Sequence, residues 1–274
     1  MGRTSNLPTV WSNCLAGWVL GGGGNARSLF PLLLGATLLY LGGMFLNDAF
    51  DERFDAQHRR ERPIPSGAVS AQSVWQIGFG LLAAGLACLF LIGTITGVLG
   101  LLLAGCILIY DAVHKVITLS PILMAGCRFL LYVIAASIGA EGVTGWAVWC
   151  GLALAAYVVG LSFLARKEST RAAVNYWPCL ALAVPIFLAL LMNAGVYRQN
   201  AWLLSAVLGL WIVRSLRFVI READRNAGRA VSSLLAGIVL VDLLAVADLP
   251  HGFALIFIAL LLLALQLQRF VPAT

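Results

Sequence analysis

Residues 28–55 read SLFPLLLGATLLYLGGMFLNDAFDERFD. From Ser28 to Leu46 no residue is charged, and the next nine residues hold Asp48, Asp51, Glu52 and Asp55. A hydrocarbon core about 30 Å thick is crossed by roughly 20 helical residues, each rising about 1.5 Å. The stretch therefore predicts a membrane-crossing helix that ends in a block of acids. The rest of the chain repeats the apolar half of this pattern. Apolar runs between charged or turn-rich breaks fall at 8–24, 28–47, 72–92, 95–111, 119–139, 145–165, 176–194, 200–219, 229–247 and 251–269. The first is interrupted by Ser12 and Asn13, and Gly21 to Gly24 read as a flexible turn after it. It shows no small-residue cleavage site, so it does not read as a removable signal peptide.

Composition agrees. The chain of 274 residues is 61% hydrophobic and 11% charged, against about 25% charged in a typical soluble domain. Mean hydropathy is +0.94. These values exclude a disordered chain, a secreted disulfide scaffold and an ordinary soluble enzyme. With the apolar runs they predict one all-α, polytopic membrane domain over residues 1–274, of nine or ten transmembrane helices. The six cysteines are scattered through apolar runs. They form no C-x-x-C pair and read as small apolar residues.

The net charge of +6 is explained by topology and not by nucleic acid. With the N-terminus in the cytoplasm, fourteen of the eighteen Lys and Arg residues fall on that side, and only Arg27 and Arg198 fall outside. This positive-inside bias predicts a multi-pass protein of a bacterial inner membrane, with its N-terminus and active-site loops cytoplasmic.

The acids at the end of the second span carry the chemistry. On a continuing helix Asn47, Asp51, Asp55 and Asp48 lie at about 0°, 40°, 80° and 100° around the axis. The three carboxylates on this face repel one another unless a cation sits among them. All-oxygen ligation favours Mg²⁺, which recruits substrate phosphates as further ligands. Asn47, Asp48, Asp51 and Asp55 are the candidate metal ligands, and the substrate they imply carries a diphosphate. Arg59, Arg60 and Arg62 either pair with diphosphate oxygens or anchor the cytoplasmic side. Pro63-Ile64-Pro65-Ser66-Gly67 reads as a rigid turn, and Ser70 as the N-cap of the third span.

This region resembles the UbiA superfamily of intramembrane prenyltransferases. The resemblance rests on Asn47-Asp48-x-x-Asp51-x-x-x-Asp55 followed by Arg62-Pro63-Ile64-Pro65-Ser66-Gly67-x-x-Ser70, and on Asn6 to Asn13 in the first span. It implies a helical bundle with magnesium-bound polyprenyl diphosphate at the cytoplasmic side of a central cavity. It assigns catalysis to Asp48, Asp51 and Asp55, and transfer of the prenyl group to an acceptor, aromatic or lipid-like. The family usually carries a second acidic motif between spans 6 and 7. Here that loop reads Ala165-Arg166-Lys167-Glu168-Ser169-Thr170-Arg171, which is similar to the EboC-like branch. Arg166 and Lys167 either replace a second magnesium's charge on the diphosphate or are ordinary anchors.

Other polar residues need an account. Tyr110, Asp111 and Lys115 end the fourth span, where the family often carries a Tyr and a Lys. Lys115 is expected at the diphosphate and Asp111 at acceptor or metal, against the alternative of an interfacial belt. Arg128 lies about 14 Å into the fifth span, where an arginine costs on the order of 2.5–3.5 kcal/mol. It is expected to face the cavity and to pair with diphosphate, Asp111 or the acidic cluster. Asn13 either faces the cavity or bonds a neighbouring helix. Arg214, Arg217, Arg221, Arg225 and Arg229 form a stripe that reads as interfacial snorkelling, and Asp242 as a pairing inside the bundle. The leading expectation is a Mg²⁺-dependent prenyltransferase. The rival is an isoprenoid or lipid binding or transport protein on the same fold. Phosphatidyl transfer is disfavoured, because its D-G-x-x-A-R pattern is absent.

Overall fold

The computed structural model describes residues 3–168, 177–192, 197–220, 226–248 and 251–271. No strand occurs among them. The helices are α1 (Leu7–Leu20), α2 (Leu29–Phe50), α3 (Glu52–His58), α4 (Ala71–Ile92), α5 (Thr94–Val113), α6 (Ser120–Ala136), α7 (Gly145–Glu168), α8 (Trp177–Leu182), α9 (Val184–Met192), α10 (Tyr197–Ile220), α11 (Ala227–Ala236), α12 (Ile238–Ala245) and α13 (His251–Phe270). Seven of the described helical stretches are long and apolar enough to cross a bilayer. Large apolar side chains such as Leu91, Ile95, Leu210 and Leu255 point outward, as lipid-facing positions require.

Among the described residues every expected span is helical, with three corrections. The first helix stops at Leu20, because Gly22, Gly23 and Gly24 all take positive φ. The seventh span breaks into α8 and α9. Pro185, two residues into α9, has no N–H to give and its ring crowds the preceding turn. The ninth breaks at Gly237, where side chains enter the helical ladder. Tyr157 Oη donates to Leu234 O at 2.9 Å, and Trp211 Nε1 donates to Ser233 O at 2.8 Å. A side chain at Gly237 would meet the Tyr157 hydroxyl at 2.6 Å. This break sets the direction of α12, and with it the position of Asp242.

Glycines set the packing of the helix that carries the acids. Gly35 and Gly42 of α2 face Gly85 and Gly78 of antiparallel α4, so the two backbones nearly touch. A Cβ on Gly85 would lie 2.9 Å from Gly35 O, and one on Gly42 would lie 3.0 Å from Gly78 O. Small-residue seams of this kind hold membrane helices together by dispersion, because lipid supplies no hydrophobic drive between them. A second close approach joins α1 to α6, where a Cβ on Gly17 would lie 2.6 Å from Tyr132 O.

The apolar side chains form two main clusters. One draws on α1, α2, α4, α5 and α6, with Leu32, Leu39, Leu46 and Ile134 at its centre. The other draws on α1, α6, α7 and the helices that follow, around Tyr132, Leu154, Tyr157 and Leu234. Helices α1 and α6 contribute to both, and a cavity opens between the clusters. Gly85→Ala is expected to lower stability by about 1–3 kcal/mol, the usual range for overpacking. Gly80→Ala, with open space around its Cβ, should not lower it. Thermal unfolding in detergent checks this; equal behaviour of the two variants would contradict the seam.

Candidate active site

The acids keep to one side of a nearly continuous helix. Helix α2 ends at Phe50, and Asp51 joins it to α3. The i→i+4 pattern survives this joint: Asp51 N donates to Asn47 O at 3.0 Å, and Asp55 N donates to Asp51 O at 2.8 Å. Asn47, Asp51 and Asp55 are buried, the last only 1% exposed, while Asp48 sits at the rim. The expected arc is therefore split, with three groups turned inward and one at the edge.

Cations from two loops neutralise these carboxylates. Arg62 Nη1 donates to Asp48 Oδ1 at 2.9 Å and lies 3.3 Å from Asp55 Oδ2. Its loop is held rigidly. Ile64 packs beside Ala49 and Val74, Val69 N donates to Pro63 O at 3.2 Å, and Gly67 takes φ 75°. Ser70 Oγ accepts from Ser73 N at 3.1 Å, which is the expected N-cap of α4. From the α5–α6 loop, Lys115 Nζ lies 3.1 Å from Asp51 Oδ2, and His114 Nε2 lies 3.3 Å from Asp51 Oδ1. Lys115 also rests 3.8 Å above the centre of the Phe54 ring. Burial pushes the Asp51 carboxyl up, but the hydrogen bonds and charges of His114 and Lys115 outweigh it. The group is held below the usual aspartate range.

Two carboxylate oxygens are left over. Asp55 Oδ1 and Asp111 Oδ2 are buried without a hydrogen-bond partner among the described residues. Asp111 lies against the cluster, its Oδ1 accepting from Asn47 Nδ2 at 3.1 Å. Among the described residues, no three acidic, histidine or cysteine side chains converge on one point. An ion here would take a few protein oxygens and complete its shell elsewhere.

A cavity of about 870 Å³ opens beside this cluster. Its polar end is lined by Arg3, Arg59, Glu61, Arg62, Tyr110, Asp111 and His114. Its depth is apolar, lined by Val10, Leu39, Leu103, Ile107, Leu131, Leu161, Leu235 and Ile238. Arg62, Asp111 and His114 stand between the acids and the space. Volume and mixed lining fit an amphiphile with a charged head and a long apolar tail.

The structure thus brings Asn47, Asp48, Asp51, Asp55, Arg59, Arg62, Tyr110, Asp111 and Lys115 to one end of the bundle. Arg128 lines the same cavity, and its protein partners are neither Asp111 nor the acid cluster among the described residues. It donates to Asn13 Oδ1 at 2.7 Å and to Thr9 Oγ1 at 2.9 Å. Asn13 itself is fully buried between helices and is not among the cavity-lining residues. The side chains of Arg166 and Lys167 lie outside the described residues, as do Arg221 and Arg225 of the arginine stripe. Arg214, Arg217 and Arg229 are exposed. Arg3, Glu61 and His114 line the cavity as well and are not among the expected site residues. The spacing of His114, three residues after Asp111 and four after Tyr110, was the available signal. Its ring stacks on Tyr110, and its Nδ1 lies 3.1 Å from Asp111 O.

With the site in view, comparison with known proteins decides the family. The profile of the UbiA prenyltransferase family matches residues 6–230. The chain belongs to this family. It is similar to a 4-hydroxybenzoate octaprenyltransferase of Pectobacterium carotovorum (39% identity over 25% of each chain). It is also similar to a digeranylgeranylglyceryl phosphate synthase of Ignicoccus hospitalis, at 34% identity over 35% of this chain and 31% of the relative. The chain thus aligns with only about a quarter to a third of the length of these relatives. In fold it resembles the apo structure of a UbiA homologue from Aeropyrum pernix K1. The TM-score is 0.70 at 16% identity, covering 90% of this chain and 97% of that one. Seven apolar helices and this membership make it an integral, multi-pass membrane protein.

Replacing Arg62 with glutamine removes the guanidinium shared by Asp48 and Asp55. The variant is expected to lose about 1–3 kcal/mol of stability in EDTA and to regain much of it in millimolar Mg²⁺. Thermal unfolding under the two conditions checks this. The same loss in both would show that the acids do not bind the ion.

Proposed function

We propose that the protein is a Mg²⁺-dependent intramembrane prenyltransferase, moving the prenyl group of a polyprenyl diphosphate to an acceptor. The observation that carries this reading is the two-ended cavity: an apolar depth beneath a mouth where acids and arginines stand side by side. The donor set suits magnesium, which takes one or two carboxylates, keeps waters and accepts substrate phosphates. Asp55 Oδ1 and Asp111 Oδ2 are oxygens without other partners among the described residues. Asn47, Asp48, Asp51 and Asp55 would hold the ion, one or two of the carboxylates at a time, and when bound it would neutralise charge on the diphosphate leaving group.

The chain's own residues do the rest. Arg59 and Arg62 take diphosphate oxygens at the mouth, and the prenyl chain lies along Leu39, Leu103, Leu131 and Ile238. Asp51, kept ionised by His114 and Lys115, fixes the negative potential of the site. The C1–O bond breaks with its electron pair leaving on the diphosphate. The acceptor's nucleophilic atom bonds to C1, and the acceptor's proton passes to the departing diphosphate. The apolar walls exclude water that would otherwise capture the allylic carbon. The N-terminus and the loops bearing these residues face the cytoplasm on this reading.

Equilibrium binding of labelled farnesyl and geranylgeranyl diphosphates to the purified protein tests the assignment. Binding is expected to require Mg²⁺ and to weaken about a hundredfold in Asp51→Ala, the loss of more than one charge-assisted contact. Binding that is indifferent to Mg²⁺ and to Asp51 would refute the site. Release of diphosphate on adding an acceptor extract separates a transferase from a carrier.

A further inference from the structure

Helices α5 and α6 carry the loop that brings His114 and Lys115 to Asp51, and polar contacts join the two helices at both ends. At the end remote from the loop, Thr96 Oγ1 and Ser137 Oγ lie 3.0 Å apart. Beside the loop, Ser120 Oγ donates to His114 O at 3.4 Å. Between these stands a contact of a different kind. Cys106 Sγ donates to Leu123 O at 3.3 Å, so this thiol rests on the turn of α6 that runs from Leu123 to Cys127. Gly126 stands beside it, where even a Cβ would lie only 3.6 Å from Cys106 Sγ. No longer side chain separates the thiol from α6.

On that turn Cys127 faces Cys106, and the two thiols hydrogen-bond to each other. A thiol has one proton to give. Cys106 spends its own on Leu123 O, so Cys127 is the donor and Cys106 Sγ the acceptor. The two residues lie 21 positions apart, outside any C-x-x-C spacing. Both are free thiols and only partly buried, whereas Cys14 and Cys150 are buried. Cys127 also borders the cavity. The prenyl transfer proposed above gives this pair no task.

We propose that Cys106 and Cys127 form a redox clasp, open as two thiols and closed as a disulfide, that governs how firmly α5 and α6 hold the loop bearing His114 and Lys115. Facing thiols that a reagent can reach are what reversible disulfide formation requires. The oxidant is a quinone dissolved in the bilayer. The pair lies eight residues from His114 along α5, about 12 Å, and Leu102, Ile109 and Ile122 on the same two helices face outward. A lipid-soluble molecule is therefore the one that meets it. Two S–H bonds break and one S–S bond forms, and the two electrons and two protons pass to the quinone, which leaves as the hydroquinone. A dithiol reverses the step. Because the clasp acts on the hairpin itself, it does not depend on which reaction the cavity carries out.

The test uses the full chain in lipid nanodiscs, treated with decylubiquinone and then with a maleimide. Cys106 and Cys127 should lose most of their maleimide labelling, and peptide mass spectrometry should find their two peptides joined with the loss of two hydrogens. Dithiothreitol should restore both thiols. On oxidation the midpoint of thermal unfolding should rise by about 5 °C or more, the effect of closing a loop of roughly twenty residues. Amide hydrogen exchange over residues 114–119 should slow about tenfold. Cys106→Ser should show none of these changes and Cys88→Ser all of them. The readouts are also taken on the unmutated chain, so a variant that fails to fold leaves the test intact. Thiols that stay free in the presence of the quinone overturn the proposal. So does a bridge that forms with aqueous peroxide and not with the quinone, or one that forms and leaves exchange of the loop unchanged.

Discussion

A carboxylate inside an apolar bundle must find positive charge or hydrogen-bond donors, and this requirement ties the protein together. Asp48 and Asp55 meet Arg62, which fixes the loop after α3 over the end of α2. Asp51 meets His114 and Lys115, which fixes the α5–α6 loop against the same helix. Asp111 meets Asn47. Deeper in the bundle, Asp242 gathers Ser12, Asn13 and Tyr132, binding α12 to α1 and α6. Removing one partner of such a pair costs far more than the pair contributes net, so these contacts specify arrangement more than they add stability.

The same contacts divide the cavity. Arg62 and His114, which meet Asp48, Asp51 and Asp55, stand at its mouth, and apolar side chains of α1, α2, α5, α6, α7, α11 and α12 form its depth. Charge recognition and chain recognition are thereby placed in series along one space. That order is what an isoprenoid diphosphate needs. Flexibility is withheld where it would blur this geometry: the glycine seam presses α2 on α4, and Ile64 pins the arginine loop.

Much of this was legible in the sequence. Apolar runs of bilayer length gave the helices, because lipid leaves few other ways to satisfy a backbone. The acids were legible because five oxygen-bearing side chains within nine residues are exceptional in so apolar a chain. Breaks inside spans were harder: Pro185 carries a local signal, but Gly237 breaks its helix through Tyr157 and Trp211, which lie far away in sequence. Long-range partnership was the least legible. Arg128 called for an anion, and nothing local could show that Asn13 would stand between it and Asp242, 114 residues later. The role of His114 was hidden in the same way, since its partner Asp51 belongs to another helix pair.

The central claim is that acids and apolar depth serve one ligand together. Diffraction from the protein with Mn²⁺ and farnesyl thiodiphosphate, a slowly reacting analogue, tests it most directly. The account predicts an anomalous Mn²⁺ peak among Asn47, Asp48, Asp51 and Asp55, diphosphate density beside Arg59 and Arg62, and the farnesyl chain running towards Leu131 and Ile238. A metal-free acid cluster, or a chain bound outside the cavity, would contradict it.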